Sequence, residues 1–310
     1  MPQNKIPCLA PGDIIDIVAP GFAPRPEEVE GALSLLREWG YQPRMPGDLI
    51  EDHFLHANSD EKRFQFLKKA LIAKDSRFIW CLRGGYGSNR LWPQLLKMKK
   101  PAQAKIIIGL SDITSLHHFV NQFWKWPSLH GAHLDRLGLR KSPANVVQEL
   151  KDLLEGRSQK TEFAGLQPLN PQAQKLKKIN SSVVGGNLVT LQSSIGTRTK
   201  IKLNKKILFV EEIGERAYRI DRVLVHLQQS GVLEKVESIL FGEFFQCAEK
   251  DGSLLYLDVL KRFSSEVKVP VFMGLETGHG EIQRPLFFGT PAVLQGGESG
   301  KLIIDSGVKG

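Results

Sequence analysis

Short apolar runs alternate with amphipathic stretches through the first half of the chain. Ile14 to Ala19, Phe78 to Leu82 and Lys105 to Leu110 are compact runs rich in β-branched and aromatic residues. Helical periodicity lies between them, near Pro26 to Trp39 and Asp60 to Leu71. Nearly continuous apolar strands followed by helices predict a parallel sheet covered on both faces, whose ligands sit beyond the carboxyl ends of the strands. The loops after Ala19, Leu82 and Leu110 are therefore where chemistry is expected.

Between about Gly156 and Asn180 the pattern turns polar, with Gly165, Pro168, Pro171 and a lysine run from Lys175 to Lys178, which predicts a linker over 159–178. Beyond it lie short strand-like runs at Ile207 to Val210, Ser238 to Phe241, Val269 to Phe272, Leu286 to Phe288 and Leu302 to Ile304, with one helix from Ile220 to Gln229. The expected fold is α/β: a flavodoxin-like parallel-sheet domain over 1–158 and a smaller, β-rich α/β domain over 179–310. No internal repeat or low-complexity segment interrupts it.

Composition narrows the picture. A chain of 310 residues with 41% hydrophobic content can bury two cores. No apolar stretch is long enough to span a bilayer, and the start lacks the apolar segment of a signal peptide, so a cytoplasmic protein without membrane contact is expected. The three cysteines, Cys8, Cys81 and Cys247, are too few and too scattered for a disulfide framework. The 42 basic and 33 acidic residues leave a charge of +9. The lysine runs lack interleaved aromatics, so a solvated surface is expected in place of a nucleic-acid platform.

The run Ile106-Ile-Ile-Gly-Leu-Ser111-Asp-Ile-Thr carries a buried strand straight into Ser111 and then a helix. That is nucleophile-elbow geometry: the hydroxyl projects at the carboxyl edge of the sheet, and free N–H groups at the helix start can bind an oxyanion. The alternative is that Ser111 or Asp112 caps the helix. The second glycine of G-x-S-x-G is absent. After the preceding strand, Arg83-Gly84-Gly85-Tyr86-Gly87 lets backbone approach a ligand, so that the N–H of Gly84 or Gly85 could serve as a second oxyanion donor; its spacing fits neither a dinucleotide fingerprint nor a P-loop.

In the second half, Glu211, Glu212 and Glu215 cluster at a strand end, and a structural role in pairing with Arg219 or Arg222 competes with a catalytic one. His279 stands between Gly278 and Gly280, with no core face or helix to account for it. His117, His118, His130 and His133 lie near Asp112 and Asp135, but their spacing is not that of a zincin, and core roles are expected for them; no metal and no cofactor is expected.

Taken together, Pro11-Gly-Asp, Ile17-Val-Ala-Pro20, Phe54 through Arg63, Arg83 to Gly87, Gly109 to Asp112, Gly185-Gly-Asn-Leu188, Glu211 onward through Tyr218-Arg-Ile-Asp-Arg222, and Gly278-His279 resemble the LD-carboxypeptidase family. These are serine peptidases that include muramoyl-tetrapeptide carboxypeptidases and microcin-immunity hydrolases. The resemblance implies a catalytic triad of Ser111, His279 and Glu211, with the N–H groups of Asp112 and of Gly84 or Gly85 as oxyanion hole. It implies hydrolysis of the L,D-peptide bond before the terminal D-alanine of a murein tetrapeptide, two domains of which the second brings Glu and His, and a homodimer. Candidates for substrate binding are Arg83, Tyr86, Asn187, Arg219 and Arg222, an arginine being suited to a terminal carboxylate. Gly21 departs from the family, where serine often follows Ala-Pro. The competing readings are a microcin-immunity-type hydrolase of peptide-nucleotide conjugates, a metal-dependent amidohydrolase, and a muropeptide binder without activity.

Overall fold

In the computed structural model, which describes residues 6–51 and 53–309, the chain divides into two units. One comprises residues 6–159 together with 284–288 and 306–309; the other comprises 160–283 and 289–305.

The first unit is built on a six-stranded sheet. Its order is Gln42–Arg44, Ile14–Val18, Ser76–Cys81, Ile106–Gly109, Ser128–His130 and Leu286–Phe288; the first five are parallel and the last is antiparallel. Ile106–Gly109 is buried at every position because helices cover both faces of the sheet, which is why its sequence shows no polar alternation. Helix Pro26–Glu38 begins with a proline, which loses nothing at a position whose N–H has no helical partner, and buries Ala32, Leu35 and Leu36 at helical spacing. On another helix, Asp60–Ile72, Ser59 caps the start by accepting the Lys62 N–H, and Phe64, Leu67 and Leu71 join a cluster with Val18, Ile79 and Ile107 of the strands. Numbered along the chain, the five parallel strands lie in the order 2-1-3-4-5.

The second unit is a closed barrel of seven strands. Around it run Ser238–Phe245, Val271–Met273, Lys160–Pro168, Gly300–Asp305, Pro291–Gln295, Ile179–Asn187 and Ile207–Ile213. Helices Ala217–Gln229 and Leu255–Glu266 contribute Ile220, Leu224, Leu260 and Phe263 to one core with Val210, Ile239 and Phe241 of the strands.

Two sequence expectations are corrected. The segment 159–178 is not a linker: Lys160–Pro168 is a barrel strand, and Pro171–Lys175 is a short helix capped by Asn170. The strand alternates at Lys160 to Phe163, and a register irregularity at the exposed Ala164 and Gly165 precedes buried Leu166, so neither a clean period of two nor an apolar run marks it. Nor does 179–310 form one unit. Leu286–Phe288 pairs with Ser128–His130 and completes the first sheet, so the chain returns to the first unit before ending the barrel. No helix among the described residues is long and apolar enough to cross a membrane.

Candidate active site

In the first unit, the chain leaves Ile106–Gly109 through Leu110 and enters the turn Ser111–Ile113 and helix Thr114–Phe119. Ser111 has φ of 61°, a left-handed conformation that costs a non-glycine residue roughly 1–3 kcal/mol and persists only where neighbours over-determine it. Those neighbours are identifiable. The Leu110 N–H donates to Nε2 of His133 at 3.0 Å, and Nε2 of His117 meets the Gly109 carbonyl at 2.8 Å. The buried Asp112 carboxylate accepts the N–H groups of Ser88 (2.8 Å) and Gly87 (3.2 Å) and the Ser88 hydroxyl. Burial pushes the Asp112 carboxyl upward in pKa, against the pull of those three donors. The cap alternative for Ser111 and Asp112 does not hold: the N-cap position is Leu110, no side chain caps this end, and Asp112 faces the neighbouring loop.

That loop, residues 83–87, lies against the elbow. A β-carbon on Gly84 would meet Cβ of Ser111 and Cε1 of His133, each at 2.9 Å, so only glycine lets the two segments approach this closely. Gly85, at φ of 91°, lies under the Phe22 ring. The N–H groups of Gly84 and Gly85 donate to no protein acceptor among the described residues. Phe22 N–H donates to the Gly84 carbonyl at 2.9 Å, and a β-carbon on Gly21 would sit 2.2 Å from that same oxygen. Gly21 is thus demanded by contact with the glycine loop, a reason for it that the sequence did not disclose.

Arg63 closes the Phe54 to Arg63 segment, and nothing in the sequence gives it a role. Its fully buried guanidinium donates to the carbonyls of Pro20, Asn58 (3.1 Å) and Gly87 (3.0 Å), tying together three loops at the carboxyl edge of the sheet.

In the second unit, alternation along Ile207–Ile213 sends Glu211 and Glu212 to opposite sides. Glu211 is fully buried, and its Oε2 lies 2.5 Å from Nδ1 of His279. Burial alone would lower the His279 pKa; the Glu211 carboxylate, helped by Glu212 and Glu243, outweighs it, and the net shift is upward. Glu212 accepts instead from Asn187 Nδ2 (2.7 Å), the Ile213 N–H (2.9 Å) and the Val189 N–H (3.0 Å), and burial, with the neighbouring Glu211 charge, raises its pKa to about 7. Glu215 pairs with Arg219 at 3.5 Å. The open choice among the three glutamates therefore narrows geometrically to Glu211 as the partner of His279.

Sequence reasoning missed Glu243. Its Oε2 accepts the Gly280 N–H at 2.8 Å, and β-carbons on Gly278 and Gly280 would meet Glu243 atoms at 3.0 and 2.6 Å. The glycines flanking His279 are the signal that could have revealed a close neighbour, though not which one.

Among the other sequence candidates, Arg83 pairs with Glu28 (3.4 Å) and Asp135 (3.9 Å), and Arg219 and Arg222 flank the exposed Tyr218 ring. Buried Asn187 caps the helix Leu188–Gln192 while holding Glu212. Tyr86 is partly exposed, beside His56. The four clustered histidines serve separate ends: His117 and His133 hold the elbow backbone, His118 meets Gln122 at 3.2 Å, and His130 lies in its strand against Phe288.

Comparison with known proteins matches residues 15–131 to the LD-carboxypeptidase N-terminal domain and residues 180–294 to the LD-carboxypeptidase C-terminal domain. The chain belongs to the LD-carboxypeptidase family. A family relative in Rickettsia conorii, assigned as a carboxypeptidase, is 38% identical over 80% of this chain and 77% of its own. The murein tetrapeptide carboxypeptidase of Pseudomonas aeruginosa is 28% identical over 91% of this chain and 93% of its own. The crystal structure of muramoyltetrapeptide carboxypeptidase from Oxalobacter formigenes superposes with a TM-score of 0.81 at 26% identity, covering 96% of this chain and 100% of that one.

Proposed function

We propose that the protein is a serine carboxypeptidase that hydrolyses the L,D-peptide bond before the terminal D-alanine of murein tetrapeptides. The observation that carries this reading is the strained Ser111 at the carboxyl end of a sheet strand, in a chain whose similar proteins include murein and muramoyl tetrapeptide carboxypeptidases. The 2-1-3-4-5 strand order supports a flavodoxin-like first unit, in which such an edge is the expected ligand site.

In the proposed mechanism Ser111 Oγ attacks the scissile carbonyl carbon and its proton passes to Nε2 of His279. Glu211 holds the Nδ1 proton, fixing the tautomer, and stabilises the imidazolium that forms. The N–H groups of Asp112 and of Gly84 or Gly85 receive the oxyanion, each worth about 3–4 kcal/mol of barrier. Collapse of the tetrahedral intermediate passes the proton to the departing amine of D-alanine, and water then releases the acyl group from Ser111. The free cysteines and the resemblance to the family support a cytoplasmic homodimer acting in cell-wall recycling.

The test is release of free D-alanine from a murein tetrapeptide. The parent protein should release it, and Ser111→Ala should lose at least about a thousandfold in kcat. Near-normal turnover by Ser111→Ala overturns the assignment.

A further inference from the structure

Within the second unit, the pairing of Ile207–Ile213 with Ser238–Phe245 slips by one residue beside the His279 loop. Val210 pairs with Phe241 and Glu212 with Phe244, so Gly242 and Glu243 together oppose the single residue Glu211. Such a bulge re-aims side chains and is frequent next to functional sites. Its effect here is visible in the core: Phe241 and Phe244, three residues apart, both join the cluster under the helices, where strict alternation would set them on opposite sides. The extra residue leaves the half-buried Glu243 to face the loop that carries His279.

Three hydrogen bonds strap that loop to the bulge. The Leu275 N–H donates to the Phe241 carbonyl at 3.3 Å, the Glu243 N–H to the Thr277 carbonyl at 3.1 Å, and the Gly280 N–H to Glu243 Oε2 at 2.8 Å. Gly278 is wedged between the two glutamates, for a β-carbon there would meet Cβ of Glu243 at 3.0 Å and Cβ of Glu211 at 3.4 Å. A β-carbon on Gly242 would likewise sit 2.6 Å from the Thr277 carbonyl oxygen.

We propose that Glu243 is a positioning residue for the reaction: by accepting the Gly280 N–H it fixes the backbone beside His279, so that the imidazole stays in line with Glu211. A charged acceptor makes a stronger bond than a neutral one, and this one is made a single residue from the base. Movement of the backbone there passes directly to the ring, and a displacement of about 1 Å in a reacting group can cost about 10²-fold in rate. The proposal deepens the carboxypeptidase reading and rests on it only for naming His279 as the base.

Three variants separate the hydrogen bond from packing. Glu243→Ala removes the acceptor, Glu243→Leu removes it while keeping bulk, and Glu243→Gln keeps an acceptor oxygen without the charge. In D-alanine release, the Ala and Leu variants should lose about 10²-fold in kcat with KM within about twofold of the parent, and Glu243→Gln should recover kcat to within about fivefold. A second readout needs no turnover. The Nδ1 proton that His279 shares with Glu211 should give a far-downfield proton NMR resonance in the parent and in Glu243→Gln, and that resonance should broaden or vanish in Glu243→Leu.

A Glu243→Leu protein with kcat within about threefold of the parent overturns the proposal. So does a fall in kcat with the resonance unchanged, a Glu243→Gln protein no better than Glu243→Leu, or a parent without the resonance. Failure of the activity reads differently: no D-alanine release by the parent, with a resonance lost in Glu243→Leu and kept in Glu243→Gln, removes the peptidase assignment and leaves Glu243 holding the imidazole.

Discussion

Nδ1 of His279 lies 2.5 Å from Oε2 of Glu211, and the other carboxylate oxygen is buried with no hydrogen-bond partner among the described residues. Glu211 is therefore committed to the imidazole, and the pair sets the pH behaviour of the proposed catalysis.

The His279 pKa is raised, and a general base must be neutral, so kcat/KM should climb with pH through a value above that of an ordinary histidine, about 6.5. Glu211→Gln should move that limb to lower pH and cut kcat by about 10³–10⁴, read from pH–rate profiles of the two proteins. The same pair stabilises the fold while the imidazole is charged. Because the folded pKa is the higher one, this contribution is complete below about pH 6.5 and disappears as pH rises through the folded value.

Asp112 holds three donors from the neighbouring loop. Asp112→Ala leaves them buried without an acceptor and should destabilise the fold by about 1–3 kcal/mol, seen as a lower urea midpoint. D-alanine release should fall as well, because Gly84 and Gly85 share that loop.

Gly21→Ser places a β-carbon 2.2 Å from the Gly84 carbonyl oxygen. Backbone must shift, so a loss of about 1–3 kcal/mol is expected in thermal unfolding, together with slower turnover. Full stability in this variant contradicts the packing described.

Lys105 is buried in the first unit, its amine 2.7 Å from the Ser76 hydroxyl and 3.6 Å from Asp16, and burial lowers its pKa to about 8. Above about pH 8 the unfolded chain, with an ordinary lysine near 10.4, binds more protons than the folded one, so this residue makes stability rise between those values. Lys105→Met should flatten that rise in denaturant titrations across the interval.

The parts of the fold legible in sequence are those whose burial is complete. Ile106–Gly109 and the elbow after it need no partner to be recognised, because a run buried on both faces has only one appearance. Lys160–Pro168 is hidden because most of its residues meet solvent, its alternation breaks at Ala164 and Gly165, and its partners are far along the chain. Leu286–Phe288 was seen as a strand, but nothing local says that it pairs with Ser128–His130. At the candidate site, the proposed role of Ser111 was suggested by a buried strand running straight into a turn, and that of His279 by its flanking glycines. Glu211 was named over Glu212 by the resemblance alone, because the residues themselves do not tell which side of the strand each faces, and Arg63 reads as helix surface until its guanidinium is seen to turn inward.

The return of 284–288 to the first sheet makes the barrel an insertion within the first unit. A growing chain that has emerged only as far as residue 159 lacks an edge strand, leaving Ser128–His130 with an unpaired flank that could recruit other chains. Completion of that sheet waits for synthesis past Phe288, so a protein cut at the apparent boundary between its halves would inherit an adhesive margin where the whole one has a paired strand.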